Sequence, residues 1–590
     1  MARSGSRAGS NRHKGLWIGI VVAIVLVVGV VGILAVSWLG TYRQTETVQA
    51  FVTELRGSLS ARDWEGVNAQ LPGALTASED LMESTSGVSW RLLSLVPFIG
   101  STANAVSDLA FSLTKVGQAA LPLQPYAQRL IDGQLRDADG ALDLVTMQEV
   151  APLLERLDVA VQSASSRLAG VDVDAIRSEV AGPLVELRDE LASAAPTVAT
   201  ASNVLSWVPG MLGADGSRSW MVMLQDPAEA RGTGGLPGGY VVVDADQGAL
   251  SLGTSGSSSD LNQKLIPVSD EIKADVGTLW GNGLGAWNLF NQSPHFPLTG
   301  ELAAAGMKAR GEPVSGVIAV NLATVAAILT MTGPVTAAGV TFDSSSVEEY
   351  FTQRIYFEIP DLFERDFVTM ELGRATFESF FAQPWEVFSL VEAMSVPISE
   401  GWIRVWSSVP EEEEWLVGTS VGGAVPETPG PVLAVAFNNT AGNKIDTFVE
   451  TEITYQPGRC LTTTNQRSSV QVVVRNEAPV DLPLDGGNYG RQDIENPDAG
   501  STSQAIYIYA PVGANYLSST IDGQEASLFL GQERSRQVWF ENISIDRGQE
   551  RTIIVQFEEP TVLGIEPEVL GQIMVIPQII TVNPNDSCLN

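Results

Sequence analysis

Histidine is almost missing from this chain: of 590 residues only His13 and His295 carry an imidazole. That scarcity argues against a Ser-His-Asp triad or a histidine-rich zinc site, so any catalysis must rest on Arg, Asp and Glu. Cysteine is as scarce. Cys460 and Cys588 are the only thiols, neither sits with a plausible base, and in an oxidising compartment the two are expected to pair. Closing so long a loop contributes up to about 4–5 kcal/mol in the chain-entropy description. Positive charge is also short, with 34 Lys and Arg against 69 Asp and Glu and a net charge of −35. Without a basic surface to displace phosphate counterions, the chain is not expected to bind nucleic acid. Lysine is rarer than arginine while Ala, Val and Gly abound, a bias typical of GC-rich genomes.

Uncharged apolar runs of membrane length are lacking too, with one exception from Leu16 to Leu39, which carries Trp17 and Trp38 near its ends. At about 1.5 Å per residue it spans about 36 Å, enough to cross a bilayer. Residues 1–14 ahead of it form a basic tail with Arg3, Arg7, Arg12, His13 and Lys14. The positive flank stays in the cytoplasm, which leaves roughly 550 residues outside. A cleaved signal peptide is the alternative, but the run is longer than an h-region and lacks an A-x-A site, which favours a retained helix over 15–40.

The chain is long enough for three or four domains. Residues 41–212 are rich in Ala, Leu and Val; Leu154, Leu157, Val161, Ala164 and Leu168 step by three and four, as do Val173, Ile176, Val180, Leu184, Leu187 and Leu191. These stripes predict amphipathic helices. Pro72, Pro97, Pro122, Pro125, Pro152, Pro183 and Pro196 are expected to break or cap them, giving a bundle or stalk that lifts the rest off the membrane. Residues 213–400 alternate strands with helices and predict an α/β domain: Ser315–Asn321 as a buried strand, Leu322–Leu329 as a helix, Glu348–Phe351 and Phe363–Phe381 as helical, and Pro397–Trp406 as strand again. A connecting segment, 401–445, holds Glu411–Glu414, which reads as a solvated helix start in preference to a calcium loop. Residues 446–590 carry short β runs between turn signals and predict an immunoglobulin-like β-sandwich, with Ile543–Phe557 as a hairpin turning at Asp546–Gly548. The fold class is thus multidomain α+β, with a transmembrane helix, a helical bundle, an α/β core and a terminal sandwich.

The densest stretch lies in the middle, SRSWMVMLQDPAEARGTGGLPGGYVVVDAD, from Ser217 to Asp246. Two apolar strand signals, Trp220–Leu224 and Tyr240–Val243, flank Asp226, Glu229 and Arg231 and then Gly232, Gly234, Gly235, Gly238 and Gly239. Such a loop can approach a ligand closely, and its free amides can line an anion-binding concavity beside Arg231. No phosphate-loop Lys-Ser/Thr follows and the spacing is not the dinucleotide fingerprint. A purely architectural alternative has Glu229 and Arg231 as an internal ion pair and the glycines serving close packing.

LQDPAEARGTGGLPGGY resembles the signature of a bacterial envelope family known as domain of unknown function 4012, whose members carry Gln-Asn-x-Ala-Glu-Leu-Arg-x-x-Gly-Gly. Gln225, Ala228, Glu229, Arg231, Gly234 and Gly235 match it. The resemblance continues through Trp287–Pro297, Gly316–Val335 and Asn438–Phe448, so it covers most of the chain after about residue 200. Where that family tends to carry three aspartates this chain has His295, Ser315 and Asn321, which favours binding without reaction. The order of parts also distantly resembles the LytR-CpsA-Psr phosphotransferases, which move polymers from polyprenyl pyrophosphate carriers onto the cell wall. That resemblance implies Asp226 and Arg231 as the acidic residue and arginine after the strand, Arg374 as a later phosphate clamp, and Mg²⁺; otherwise no metal or cofactor is expected.

The expectation is a membrane-anchored extracytoplasmic envelope protein, held in the lipid bilayer by residues 16–39, that binds or scaffolds a surface polysaccharide or cell-wall glycopolymer. A phosphotransferase acting on a polyprenyl-pyrophosphate glycan and a purely structural protein are the alternatives. The candidate ligand residues are Asp226, Glu229, Arg231, Gly234, Gly235 and Arg374.

Overall fold

Leu154, Leu157, Val161, Ala164 and Leu168 are all buried in the computed structural model, along one face of a single helix. The structure describes residues 64–584 apart from 97–99, 132–135, 137–140, 277–278, 383–386, 459–463, 483–487, 496–499 and 563. The apolar run 16–39 and both cysteines lie outside the described residues. Among the described residues no helix is long and apolar enough to cross a membrane.

The first compact unit comprises the chain up to Ser217 together with Asp246–Ala249 and Pro384–Glu392, and its described residues before Ser217 are mainly helical. Its main helices are α1 (Trp64–Ser86), α2 (Gly100–Ala120), α3 (Leu144–Ala169) and α4 (Ser178–Met211). They bury Leu71, Leu109, Leu113, Leu157 and Leu187 in one core. Asp143 starts α3 by accepting from the Thr146 amide at 3.0 Å. Pro122 and Pro125 fall in the first turns of Leu121–Leu123 and Gln124–Ile131, as a capping role predicts, and Pro97 lies outside the described residues, but four prolines do not break their helices as expected: α1 runs through Pro72, α3 through Pro152 and α4 through Pro183 and Pro196. An interior proline costs about 3 kcal/mol, but each apolar side chain buried along the stripe contributes about 1.5–3 kcal/mol. In α4 Val180, Leu184, Leu187, Leu191 and Val198 are all buried, so packing outweighs the local defect. Val173 and Ile176 lie just before that helix begins.

The second unit starts at Arg218. Its mixed sheet is built from β1 (Arg218–Asp226), β2 (Leu236–Asp246), β3 (Ala249–Ser257), β4 (Gly316–Asn321) and, after the small ribbon of β5 (Val335–Ala337) with β6 (Val340–Phe342), β7 (Ile403–Ser407). The order is β3-β2-β1-β4-β7, with β1 antiparallel to β2 and parallel to β4. Helices α5 (Phe296–Arg310), α6 (Leu322–Thr332), α7 (Leu362–Ala382) and α8 (Pro410–Val417) belong to the same unit. Pro397 falls inside the helix Val387–Ser399, so only the end of the expected Pro397–Trp406 strand is extended. In the acidic run Glu411 and Glu414 are exposed, whereas Glu412 is buried against Arg218 at 2.7 Å.

Two further sheets complete the unit. One runs β13 (Gln524–Ala526), β12 (Asn515–Ile521), β16 (Glu550–Pro560), β10 (Asn465–Asn476), β9 (Val449–Gln456), β18 (Ile579–Val582). The other runs β14 (Phe529–Glu533), β15 (Arg536–Ile545), β11 (Thr502–Tyr509), β8 (Val432–Asn439), β17 (Glu568–Leu570). Tyr455, Val470, Val472, Trp539, Val555 and Phe557 are buried in one core. With 6 and 5 strands the pair is larger than the seven to nine strands of the immunoglobulin types. Ile543–Phe557 is not a hairpin. Its turn exists, with the Gln549 amide donating to the Asp546 carbonyl at 3.0 Å, but β15 and β16 belong to different sheets. An arch and a hairpin share the same alternation and turn residues, and the choice lies with the sheet that can bury each apolar face.

Strand β8 arises within the expected connecting segment yet occupies the interior of its sheet. Every residue of β11 is buried, because its sheet is covered on both faces; Tyr507 meets Trp280 at a ring distance of 4.5 Å. The α/β part and the sandwich therefore share cores, and this places residues 436–448 beside the loop that follows β1.

Candidate functional site

At the carboxyl ends of the parallel neighbours β1 and β4, Gln225 stands opposite Asn321. Asn321 caps α6 by accepting from the Thr324 amide at 2.9 Å. Asp226 ends β1. Its Oδ1 accepts from the Ala228 amide at 2.9 Å, and its Oδ2 accepts from the Tyr356 hydroxyl at 2.6 Å. The Lys444 ammonium lies 3.2 Å from Asp226 Oδ2 and 3.1 Å from Glu229 Oε2. Glu229 Oε1 accepts from Arg231 Nη2 at 2.8 Å. Two carboxylates and two cations thus form one buried cluster.

Burial pushes the Glu229 carboxyl up, but Lys444 and Arg231 outweigh it and hold it below its ordinary value. Burial likewise pushes Lys444 down, and Asp226 and Glu229 outweigh it, so its ammonium is held above its ordinary value. Tyr356 is raised well above the phenol range by burial and then by Asp226. Each group thereby keeps the charge state that suits its neighbours.

The glycine-rich bend is closed on itself. Arg231 is 3 % exposed, and its guanidinium donates to the carbonyls of Asn288, Ala230 and Asn439 as well as to Glu229. Amides of the bend are also taken: Ala230 donates to Asp446, Gly232 to Asn438, Thr233 to the Asn291 carbonyl and Gly234 to the Arg231 carbonyl. The expected amide-lined anion seat beside Arg231 is therefore not formed, because protein acceptors occupy its donors. The glycines answer to space instead. A Cβ on Gly232 would overlap the Gln292 carbonyl, and one on Gly235 would overlap the Asp226 backbone. Gly234 packs under Ile573.

Three stretches quoted above for their resemblance meet here: Asn288, Asn291 and Gln292 from one, Asn321 from another, and Asn438, Asn439, Lys444 and Asp446 from the third. Asp446 is wholly buried and accepts from the Ala230 amide, Asn439 Nδ2 and Gln504 Nε2; burial pushes its carboxyl up to about 7 against the Ala230 and Asn439 hydrogen bonds.

Above this cluster opens a cleft of about 770 Å³. Asp226, Glu229, Arg231 and Lys444 line it, with Tyr356 and Arg365 on one wall and Ser258, Asn262, Gln292 and Asn488 among its polar lining. A neighbouring groove of about 400 Å³ shares Ser259 and Asp366 with it and carries the exposed rings of Phe363 and Phe367. Asp226, Glu229 and Arg231 are thus brought together, and Gly234 and Gly235 hold them from behind. Arg374 is not among the lining residues. It is half-exposed on α7 and bonded to Glu371 and Glu378, its own helix neighbours. His295 lies in a different cavity; burial and then Arg534 push its imidazole down to about 3.

Lys444, Tyr356, Arg365 and Asn488 were not among the residues expected from the sequence to form the site. Lys444 stands within Asn438–Phe448 and Arg365 within the expected helix Phe363–Phe381, so the local signal existed; what it lacked was the long-range partner.

No curated protein and no solved structure matches the chain. Residues 215–356, which supply β1, the closed bend and Tyr356, match the family model described as Protein of unknown function (DUF4012).

Proposed function

We propose that this chain is a single-pass extracytoplasmic protein of the bacterial envelope, tethered through residues 16–39, whose cleft binds a segment of surface polysaccharide or cell-wall glycopolymer without reacting on it. The observation that carries this reading is the engagement of Asp226: Tyr356 and Lys444 already hold the carboxylate that a transfer reaction would need as base or ligand. What the cleft offers instead is amide and hydroxyl side chains, with an aromatic groove next to it, the surface chemistry that suits sugar hydroxyls and ring faces. The phosphotransferase alternative requires Lys444 to release Asp226 to a substrate or to Mg²⁺.

The full chain in lipid nanodiscs, presented with a glycopolymer fragment and with a polyprenyl-pyrophosphate glycan plus Mg²⁺, separates the two. Binding without turnover is expected. Turnover that disappears in Asp226→Asn overturns the non-catalytic reading, and failure to bind any glycan leaves an architectural protein.

A further inference from the structure

Three buried arginines of the second unit can be compared by where their N–H groups go. A guanidinium has five such donors and no acceptor. Arg231 places four, one of them on a carboxylate. Arg536 also makes four bonds, all to the carbonyls of Pro426, Val432 and Ala510. Arg365 makes three: Nη1 donates to the carbonyls of Ile359 and Pro360 at 2.8 and 2.9 Å, and Nη2 donates to Asn488 Oδ1 at 3.1 Å. Its Nε–H and one Nη2–H have no protein acceptor among the described residues.

Arg365 is 7 % exposed and, among the described residues, forms no ion pair. A buried charge is costly unless it is paired. The other two cations of the cleft are matched by Asp226 and Glu229, so Arg365 is the one left without a carboxylate at contact distance. It is also held rigidly: its Cζ sits 5.5 Å from the centroid of the Tyr356 ring, and the two carbonyls pin Nη1. On the same wall Asn488 keeps Nδ2 buried without a hydrogen-bond partner. A fixed guanidinium with two N–H donors spare suits an oxyanion that presents two oxygens, through charge-assisted bonds.

We infer that Arg365 is the ligand-reading cation of the cleft and seats an oxyanion, the carboxylate of a uronic acid or a phosphate ester, carried by the glycan. This rests on the glycan-binding reading above. The anion seat expected beside Arg231 thus moves to the wall formed by α7.

The test is titration calorimetry on the full chain in nanodiscs with three oligosaccharide probes: a neutral glucan, a glucuronate oligomer and a glycerol-phosphate oligomer. At least one anionic probe is expected to bind ten-fold or more tightly than the neutral one, with an advantage that shrinks as salt rises; which of the two does so assigns carboxylate or phosphate. Arg365→Gln is expected to abolish that advantage. Because Arg365 also pins Ile359 and Pro360, a second variant guards against misfolding: Thr369→Glu, one helical turn further along α7 and also lining the cleft, supplies an internal carboxylate and is expected to cancel the advantage at an unchanged melting temperature. Equal binding of neutral and anionic probes, or a preference that survives in both folded variants, overturns the inference while glycan binding stands. Failure of all three probes overturns both.

Discussion

The bend after β1 and the first turns of α7 each bring a buried arginine to the same cleft, and they differ in what is left of the guanidinium. Around Arg231 the chain supplies a carboxylate and three carbonyls, and the amides of the bend are spent on Asp446, Asn438 and Asn291. Around Arg365 it supplies two carbonyls and one amide oxygen. A residue type beside glycines is thus a weak sign of binding, and the number of donors left unsatisfied is a stronger one. The first region is a clasp that joins the α/β part to β8 and its following turn. The second is a wall with hydrogen-bonding capacity to spare.

The comparison breaks most sharply at the clasp. Arg231→Met leaves three carbonyls without their donor and Glu229 with Lys444 alone, so it should lose about 3–5 kcal/mol of stability, read as a fall in the denaturant midpoint. A loss under about 1 kcal/mol would mean that the bend is not the clasp described here.

The pH dependence comes next. His295 is a base whose folded value, about 3, lies below the ordinary 6.5, so its contribution is complete above pH 6.5 and is lost as pH falls toward 3. At about 1.4 kcal/mol per pH unit, the stability difference between wild type and His295→Gln should narrow by roughly 3 kcal/mol from pH 7 to pH 4. Asp446 and Glu413, both pushed up to about 7, act in the opposite sense and favour the folded state as pH falls from about 7 toward 4. The variant difference, and not the raw curve, therefore isolates the imidazole.

Glycine substitutions then sharpen the contrast between the two regions. Gly232→Ala drives a Cβ into the Gln292 carbonyl and should cost about 1–3 kcal/mol. Gly373→Ala, in the middle of α7 where nothing lies within reach of a new methyl, should instead raise stability by about 0.5–1 kcal/mol. Thermal melts of both variants check the sign. Smallest of all, Arg374→Ala removes two helix-surface pairs and should change stability by no more than about 0.5–1 kcal/mol while leaving glycan binding untouched.

The helical stripes, the strand Gly316–Asn321, the helix after it and most runs of the sandwich were legible in the sequence, as were Asp226, Glu229 and Arg231 as neighbours. Pro152, Pro183 and Pro196 do not end their helices because a proline's cost is local, whereas α3 and α4 are held by apolar contacts along their length. The apparent hairpin at Asp546–Gly548 misled for the converse reason: its turn is local, but the partners of β15 and β16 are not. Lys444, more than two hundred residues from Asp226 in sequence, could be quoted within a motif but not assigned to the cluster it completes.

What the amino-acid order determined by itself is periodic and local. A three-to-four-residue apolar spacing forms a helix with one buried face, alternation forms a strand, and glycine permits close backbone approach, since each depends only on neighbours a few residues away. What only the tertiary structure decided is which polar groups remain unpaired. The carbonyls that occupy Arg231 come from Asn288 and Asn439 as well as from its own neighbour, and the wall that leaves two donors on Arg365 depends on Asn488. Hydrogen-bond capacity is consumed by whatever folding brings within 3 Å or so, and no count along the chain can register that.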